Sequence, residues 1–346
     1  MGKNKIKINA LYAEITDKCN LACVYCYNDS SAKNKTHIPL DDYKRFVKIL
    51  INYGLKEVSI SGGEPTLHPN LLEMIEFNHS LSLKQHLLTN GANINSKILP
   101  IVKHKNVSFQ FSIDGPDESS NDALRSKNAY ATTTKALKLL VSNGLAEQIV
   151  VRSHLHFGNY NQMYPTVASL KDMGVSDIDF TLLTNKGRAV NIELIDAAKH
   201  KDIIKEIEDN IATISRDLSI TPVFKNEATL SCPYETLEAE LSLSIDPQGN
   251  INPCQILNDP RFTLGNIHTV SAASLESNIS DFSEYVKSRK SNMHVCQRCA
   301  YQSLCHGGCV AMSLANAGDH LAVDGQCSIR KNSMRKMLLS KKPIPA

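Results

Sequence analysis

The chain has 346 residues, and 42% of them are hydrophobic, which is enough for a buried core and excludes intrinsic disorder as the main state. With 38 Lys and Arg against 35 Asp and Glu, the formal net charge is only +3, and no block of like charge points to nucleic-acid binding. No run of about 18 apolar residues predicts a membrane span, and no apolar signal segment follows Met1, so we expect a cytoplasmic protein.

Short apolar runs alternate with amphipathic segments over residues 9–190. The predicted strands cover residues 10–16, 57–60, 85–88, 107–113, 148–154 and 177–183, and the predicted helices cover 41–53, 71–78, 94–102, 132–142 and 162–173. Strands separated by helices of this length indicate βα units on a parallel sheet. Six units are fewer than the eight of a closed barrel, so the pattern predicts an α/β fold with a partial (β/α)6 TIM-like barrel.

The rest of the chain has a different character. Residues 191–228 are predicted to form a bridging helical region, with one long charged helix or two short ones. Residues 229–335 combine short strands, a predicted hairpin at 246–254 and closely spaced cysteines, which indicates a small α+β domain.

The ten cysteines are the most informative residues of the chain. Without an export signal, clustered cysteines are more often metal ligands or catalytic groups than disulfides. Cys19, Cys23 and Cys26 lie in the loop after the first predicted strand, here called the cluster loop (residues 19–26). Three thiolates on one tight loop can bind three irons of a cubane cluster and leave the fourth iron open to another ligand. Unrelated thiols or half of a zinc site are the alternatives.

A second motif ends the second predicted strand. It reads Ser61-Gly62-Gly63-Glu64-Pro65, and it should lie beside the cluster loop at the mouth of the barrel. The two glycines would let a ligand approach the backbone, and Glu64 would supply an anion for an ammonium group. Alone, such a motif is typical of a turn.

With these two motifs, the chain resembles the radical S-adenosylmethionine (radical SAM) superfamily. The resemblance implies that the three cysteines of the cluster loop hold a [4Fe–4S] cluster, whose open iron is chelated by the amino and carboxylate groups of SAM. It also implies contacts to SAM by six further residues. These are Tyr25 on the adenine side, Gly62, Gly63 and Glu64 at the amino group, Ser112 at the ribose and Arg125 at the carboxylate. A surface arginine is the alternative for Arg125.

The other seven cysteines resemble the SPASM extension of radical SAM enzymes, which carries auxiliary iron–sulfur clusters. The resemblance assigns an outer set and an inner set. The outer set is Cys296, Cys299, Cys305 and Cys327, and the inner set is Cys232, Cys254 and Cys309. Three clusters are therefore expected in all. Because two complete cysteine-ligated clusters need eight thiolates, the inner one should have an open iron or a non-cysteine ligand. A zinc ribbon is the alternative.

The resemblance implies an oxidoreductase that cleaves SAM reductively to a 5′-deoxyadenosyl radical, which then abstracts hydrogen from a peptide or protein. Gln255 stands where the sulfatase-maturing branch has Asp, and an amide is a poor proton acceptor. We therefore expect an intrapeptide cross-link (C–C, C–O or thioether) in a ribosomally made peptide, with formylglycine formation or epimerisation as the alternatives. An electron-transfer protein without SAM chemistry is the alternative from another class.

The expected partners follow from the same resemblance. They are the peptide substrate and a flavodoxin- or ferredoxin-type electron donor. Since the first strand begins close to the amino terminus, a leader peptide would be held by the barrel and SPASM surfaces or by a separate leader-binding protein. His154 or His156 on the fifth strand should point into the barrel, either toward substrate or as a core histidine. No general base is evident from the sequence.

Overall fold

The computed structural model describes residues 6–95, 98–99, 107–225, 232–237, 239–305 and 307–339. Nine strands in these residues form one sheet with the order β7-β6-β5-β4-β3-β2-β1-β8-β9. The strands are β1 (Ile8–Glu14), β2 (Glu57–Ser61), β3 (Lys84–Thr89), β4 (Val107–Ser112), β5 (Ile149–Leu155), β6 (Asp177–Leu182), β7 (Val223–Lys225), β8 (Leu241–Ile245) and β9 (Ile251–Asn252).

Strands β1 to β6 are parallel to their neighbours, and all six were predicted to within two residues at either end. They alternate buried and partly exposed positions or are buried on both faces, as expected for strands covered by helices. In the described residues the sheet is open, with β7 and β9 at its edges. The predicted partial barrel is confirmed.

The C-terminal third joins this same sheet. Strand β8 pairs in parallel with β1, with Leu243 opposite Leu11, and β9 returns antiparallel to β8 as the predicted hairpin. The domain limits of 9–190, 191–228 and 229–335 stay a prediction, because one sheet runs through the first and the last of these segments. The boundary at 228–229 lies outside the described residues.

Helices cover the sheet and connect its strands. They are α1 (Leu40–Ile51), α2 (Leu71–Ser80), α3 (Glu118–Arg125), α4 (Ala129–Ser142), α5 (Met163–Asp172), α6 (Lys201–Leu218), α7 (Ala272–Arg289), α8 (His294–Gln297), α9 (Gln302–Cys305), α10 (Val310–Ala317) and α11 (Cys327–Leu339). The bridging region contains one long helix, α6. The predicted helix at 94–102 lies partly outside the described residues. Among the described helices, none combines the length and hydropathy needed to cross a bilayer.

Two buried arginines hold the cysteine-rich region together. The Arg289 guanidinium donates to the Gly307 carbonyl at 2.6 Å and to Ser313 Oγ at 2.7 Å. Arg330 forms a fully buried ion pair with Asp324, whose Oδ2 also accepts from the backbone N–H of Cys309 at 2.7 Å. These contacts order a segment with few long elements, because a buried guanidinium is stable only when its donors are paired.

Candidate active site

A cavity of about 360 Å³ lies at the carboxyl ends of the parallel strands, and we call it the central cavity. This volume is within the range of small-molecule sites. The three cysteines of the cluster loop line it, as do five of the six residues predicted to contact SAM: Tyr25, Gly62, Gly63, Ser112 and Arg125. The structure therefore brings together residues more than 100 positions apart in the chain. Glu64 lies behind the lining.

The cluster loop presents its thiols to one space. Burial raises the pKa of Cys19 to about 12, and the charges of Glu64, Cys23 and Cys26 act in the same direction. The backbone N–H of Leu21 donates to Cys19 Sγ at 3.4 Å. Because thiolates are the iron ligands, positive charge is needed to hold these buried thiols in their ionised form. The donor set therefore fits a cationic metal centre.

The structure also places the thiols of each C-terminal set near one another, and their role as cluster ligands stays a prediction. Burial raises the pKa of Cys232 to about 12, with the inner-set thiols Cys309 and Cys254 adding to the shift. In the outer set, burial raises the pKa of Cys296, and the charges of the nearby thiols Cys305, Cys327 and Cys299 raise it further. No three His, Cys, Asp or Glu side chains in the described ranges converge on one ion-sized point. Cubane ligands bind different irons and need no such convergence.

The two glycines of the Ser61–Pro65 motif serve chain packing. A Cβ on Gly62 would lie 2.3 Å from the Thr16 carbonyl oxygen, and one on Gly63 would lie 2.4 Å from that of Lys18. The Gly63 and Glu64 N–H groups donate to these same two oxygens at 2.7 and 2.8 Å. The motif is therefore joined to the chain that enters the cluster loop. The protein's own backbone approaches both glycines on this side, and their contact with SAM stays a prediction.

The Glu64 carboxylate is fully buried and accepts four hydrogen bonds. Its Oε1 takes those from Thr66 N, Thr66 Oγ1 and Thr89 Oγ1, and its Oε2 takes one from Asn90 N at 2.7 Å. Burial raises its pKa, while these neutral donors lower it. Since a carboxylate offers about four lone-pair sites, two on each oxygen, Oε2 keeps acceptor capacity. Ammonium binding by Glu64 stays a prediction, and a buried anion held by neutral donors fits it.

Asp114 connects several residues at one end of the cavity, although the sequence did not single it out. Its carboxylate is buried, lies 3.1 Å from Arg125 Nε, and accepts from the Tyr25 hydroxyl and from His154 N. The Arg125 guanidinium also donates to the Ser112 carbonyl and lies 5.7 Å from the centre of the Tyr25 ring. Burial alone would raise the pKa of Asp114, but Arg125 and His154 outweigh it and lower that pKa to about 2.

Arg125 is therefore an interior residue, and the surface-arginine alternative is wrong: it is 8% exposed, on the last turn of α3. Of the two histidines on β5 and just after it, His154 lines the cavity, whereas His156 is buried and its Nδ1 accepts from Gly158 N at 3.0 Å. The cavity thus has a charged end built from Arg125, Asp114, Tyr25 and His154.

Two family models match the chain. The model described as the radical SAM superfamily matches residues 13–170, and that of the SPASM iron–sulfur cluster-binding domain matches residues 237–300. The chain belongs to the radical SAM superfamily. It is an enzyme of that superfamily with a SPASM domain, as the cysteine spacing predicted.

Relatives of this radical SAM protein share about a quarter of its residues. The antilisterial bacteriocin subtilosin biosynthesis protein AlbA of Bacillus subtilis is 24% identical, covering 92% of this chain and 70% of AlbA. Mycofactocin maturase MftC of Mycobacterium ulcerans is 26% identical, covering 86% and 82%. The AdoMet-dependent heme synthase of Nitratidesulfovibrio vulgaris is 24% identical, covering 93% and 92%.

Solved radical SAM structures share the fold. Streptococcus suis SuiB bound to S-adenosylmethionine superposes with a TM-score of 0.72 at 18% identity, covering 92% of this chain and 76% of SuiB. This likeness confirms the partial barrel followed by the cysteine-rich domain, and the matched families support SAM and iron–sulfur clusters as cofactors.

The radical SAM cavity also has lining residues that the sequence reasoning missed. Arg152 on β5 and Lys186 line it, together with the hydroxyl-bearing Tyr12 and Tyr27. Lys186 donates to the carbonyl oxygen of Ile256 at 2.8 Å, so the barrel and the SPASM segment meet at this wall. Polar residues such as Tyr12 and Arg152 on buried strands were a signal available in the sequence, since such positions need polar partners.

Proposed function

We propose that the chain is a radical SAM/SPASM maturase that acts on a ribosomally made peptide and installs an intrapeptide cross-link. The observation that carries this proposal is the composition of the central cavity. One wall holds the cluster loop and the residues expected to contact SAM, and another holds Gln255 and Ile256, which directly follow the inner-set residue Cys254. A substrate in this cavity would lie between the radical source and an auxiliary cluster.

The protein's own residues supply position and charge in this proposal. The cysteines of the cluster loop hold the cluster, Glu64 binds the SAM ammonium, and Ser112 and Arg125 orient the ribose and carboxylate. Asp114 keeps Arg125 and the Tyr25 ring in place through its buried contacts. When bound, the cluster and SAM would supply the 5′-deoxyadenosyl radical that abstracts hydrogen from substrate carbon. The walls around them limit access of water to that radical.

A peptide substrate is favoured by the relatives named for peptide products. AlbA is a bacteriocin biosynthesis protein and MftC is a maturase, and SuiB has been solved with the precursor peptide SuiA. Gln255 lines the cavity, which supports cross-linking over formylglycine formation, because the amide cannot serve as a base there. A tetrapyrrole is the second candidate substrate, because of the heme synthase relative. Among the three relatives named above, it is the one whose match spans the largest share of both chains.

We propose three iron–sulfur clusters, held by the cluster loop, the inner set and the outer set. The inner set has three thiols where a complete cubane has four, so one of its irons should be open or bound by another group. Mössbauer spectra with and without a small thiol test this point. A spectrum that does not change, with a fixed side-chain ligand in both states, would limit the inner cluster to electron transfer.

The partners proposed for this activity are a flavodoxin or ferredoxin as electron donor and, for a leader peptide, either the protein's own surface or a separate binding protein. Reduction of the purified protein by each donor, followed as SAM-dependent formation of 5′-deoxyadenosine, tests the first. Pull-down of a leader peptide with and without a candidate binding protein tests the second.

The decisive experiment is anaerobic turnover with the peptide encoded beside this gene. Loss of two hydrogens from the peptide, with 5′-deoxyadenosine formed, supports a cross-link. Unchanged mass with deuterium incorporated from solvent indicates epimerisation, and formylglycine at Cys or Ser indicates the sulfatase-maturing reaction. A parallel incubation with a porphyrin precursor tests the heme synthase reaction. A variant with all three cluster-loop cysteines replaced by Ala is the control for SAM-independent change.

A further inference from the structure

The central cavity has cations but lacks an acid on its surface. Arg125, Arg152 and Lys186 line it, whereas no Asp or Glu is found among the lining residues that the structure describes. A cross-link that joins a carbon radical to an H–Y group of the peptide releases one proton. Gln255 cannot accept that proton. His154 lines the cavity at its Arg125 end, and a carboxylate that accepts the proton would have to lie behind the lining.

Three of the buried carboxylates nearest the cavity are already engaged. Asp114 is paired with Arg125, and Asp179 accepts from Arg152 at 2.7 Å. Glu64 accepts four hydrogen bonds at the end of the cavity assigned to SAM. Pairing with a cation holds a carboxylate in its ionised form and makes it a weak base. Asp114 and Asp179 are therefore weak bases, and Glu64 is committed to the end of the cavity assigned to SAM.

Glu14 on β1 is different, because a line of hydroxyl groups connects it to the cavity. The Tyr27 hydroxyl donates to Glu14 Oε1 at 2.6 Å. The Tyr12 and Tyr27 hydroxyl oxygens lie 3.0 Å apart, and either can be the donor. Tyr12 also donates to Ser61 Oγ at 2.9 Å. Both tyrosines line the cavity, whereas Glu14 is 4% exposed and is not among the described lining residues, so these hydroxyls connect the carboxylate to the cavity.

The surroundings of Glu14 suit a proton acceptor. Burial raises its pKa, the hydrogen bond from Tyr27, the nearby Asn28 side chain and the charge of Lys186 lower it, and Asp246 raises it. The net shift is upward. A carboxylate with a raised pKa is a stronger base than an ordinary glutamate, and it is nearer the value favoured for proton transfer at neutral pH.

We propose that Glu14 accepts the proton released in cross-linking, and that Tyr12 and Tyr27 pass it from the cavity as neutral hydroxyls. The proposal rests on the proposed peptide cross-linking function. As the carbon radical forms its bond to Y, the Y–H bond breaks. The Tyr12 hydroxyl turns from Ser61 Oγ toward Tyr27; the released proton then passes to Tyr12, Tyr12 gives its own proton to Tyr27, and Tyr27 gives its own to Glu14. The remaining electron would be taken up by an oxidised iron–sulfur cluster, the oxidant that the proposed function supplies.

Lys186 places this proton route beside the proposed electron route. Its Nζ lies 5.5 Å from the centre of the Tyr27 ring and donates to the carbonyls of Gln255 and Ile256, at 3.3 and 2.8 Å. These carbonyls follow Cys254 of the inner set. Proton and electron would thus leave the substrate at the same wall, which limits charge separation in a cavity of low dielectric.

The first test measures SAM cleavage and peptide modification separately in the same variants. In Glu14→Gln and Tyr27→Phe, 5′-deoxyadenosine should still form with a loss below about threefold, while cross-linked peptide should fall about 100-fold, the usual contribution of a positioned base. Tyr43→Phe, which removes another buried hydroxyl from the hydrophobic core, is the matched control and should keep both rates. Equal losses of both products, or unchanged cross-linking, would overturn the proposal.

The second test requires no peptide. In the wild type, the infrared absorption of the protonated Glu14 carboxyl should persist to a higher pH than that of an ordinary glutamate. The same absorption should be missing in Glu14→Gln. The titratable and charged groups that face Glu14 are Tyr12, Tyr27, Lys186 and Asp246. A Glu14 that protonates only in the ordinary range would refute its role as a strong base. If wild-type enzyme leaves the peptide unchanged, the proposed function fails, and this titration still tests Glu14.

Discussion

Replacing Asp114 by Asn should destabilise the protein and weaken its hold on SAM. The substitution keeps the side-chain shape but removes the negative charge. Arg125 would then remain buried without its ionic partner, and the Tyr25 hydroxyl would lose a charged acceptor. Both Arg125 and Tyr25 line the central cavity, so the effect on folding and the effect on the site have one origin.

The size of the effect follows from the ion pair. The pKa of Asp114 is lowered to about 2 from an ordinary value of 3.8. At 1.36 kcal/mol per pKa unit, its charge stabilises the folded state by about 2 kcal/mol. This stabilisation is present above pH ~4 and is lost as the pH falls from about 4 to about 2. Leaving the partner charge buried and unpaired costs roughly 3–5 kcal/mol. We therefore expect Asp114→Asn to lower the free energy of unfolding by about 2–5 kcal/mol.

This change can be measured by urea unfolding of the cluster-free protein at pH 7, monitored by circular dichroism. Isothermal titration calorimetry of the reconstituted protein gives its affinity for SAM. The matched control is the double variant Asp114→Asn with Arg125→Met, which removes both charges. It should be more stable than Asp114→Asn alone, because no buried charge is left unpaired. The reasoning would be refuted if Asp114→Asn unfolds within about 1 kcal/mol of wild type. It would also be refuted if the loss in the double variant equals the sum of the losses measured for Asp114→Asn and Arg125→Met separately.

Three further predictions concern the cofactor sites. Replacing all three cysteines of the cluster loop by Ala should abolish formation of 5′-deoxyadenosine while iron analysis still detects the C-terminal sets; wild-type rates would refute the assignment. Glu64→Gln should lower SAM affinity roughly tenfold to a hundredfold with the iron content unchanged, because a charged hydrogen bond contributes about 1.5–3 kcal/mol. Gly63→Ala should reduce both iron content and SAM affinity, because its Cβ would lie 2.4 Å from the Lys18 carbonyl oxygen. Gly144→Ala would meet no atom within 4 Å, so it should cost some stability through its φ of +76° but leave both quantities unchanged.

Much of the fold was readable because it depends on local patterns. The six parallel strands follow from short apolar runs between amphipathic helices, and each strand is within two residues of its predicted limits. The pairing of β8 with β1 was not predicted, since register between strands more than 200 residues apart leaves no local pattern. Helix α3 was missed as well, because it is short and polar, and most of its buried surface comes from Asn121 and Arg125.

The sequence by itself determined the ligand chemistry that is predicted for this protein, because three cysteines on one tight loop suit a cubane cluster and the family resemblance assigns the other seven. Only the tertiary structure decided how the polar residues around those thiols are used. It buried Arg125 against Asp114, packed Gly62 against Thr16, and aligned Tyr27 with Glu14. Each of these contacts joins separate segments, and the two polar ones depend on distances of 2.6 and 3.1 Å, which are set by packing of the whole barrel and leave no trace in local sequence.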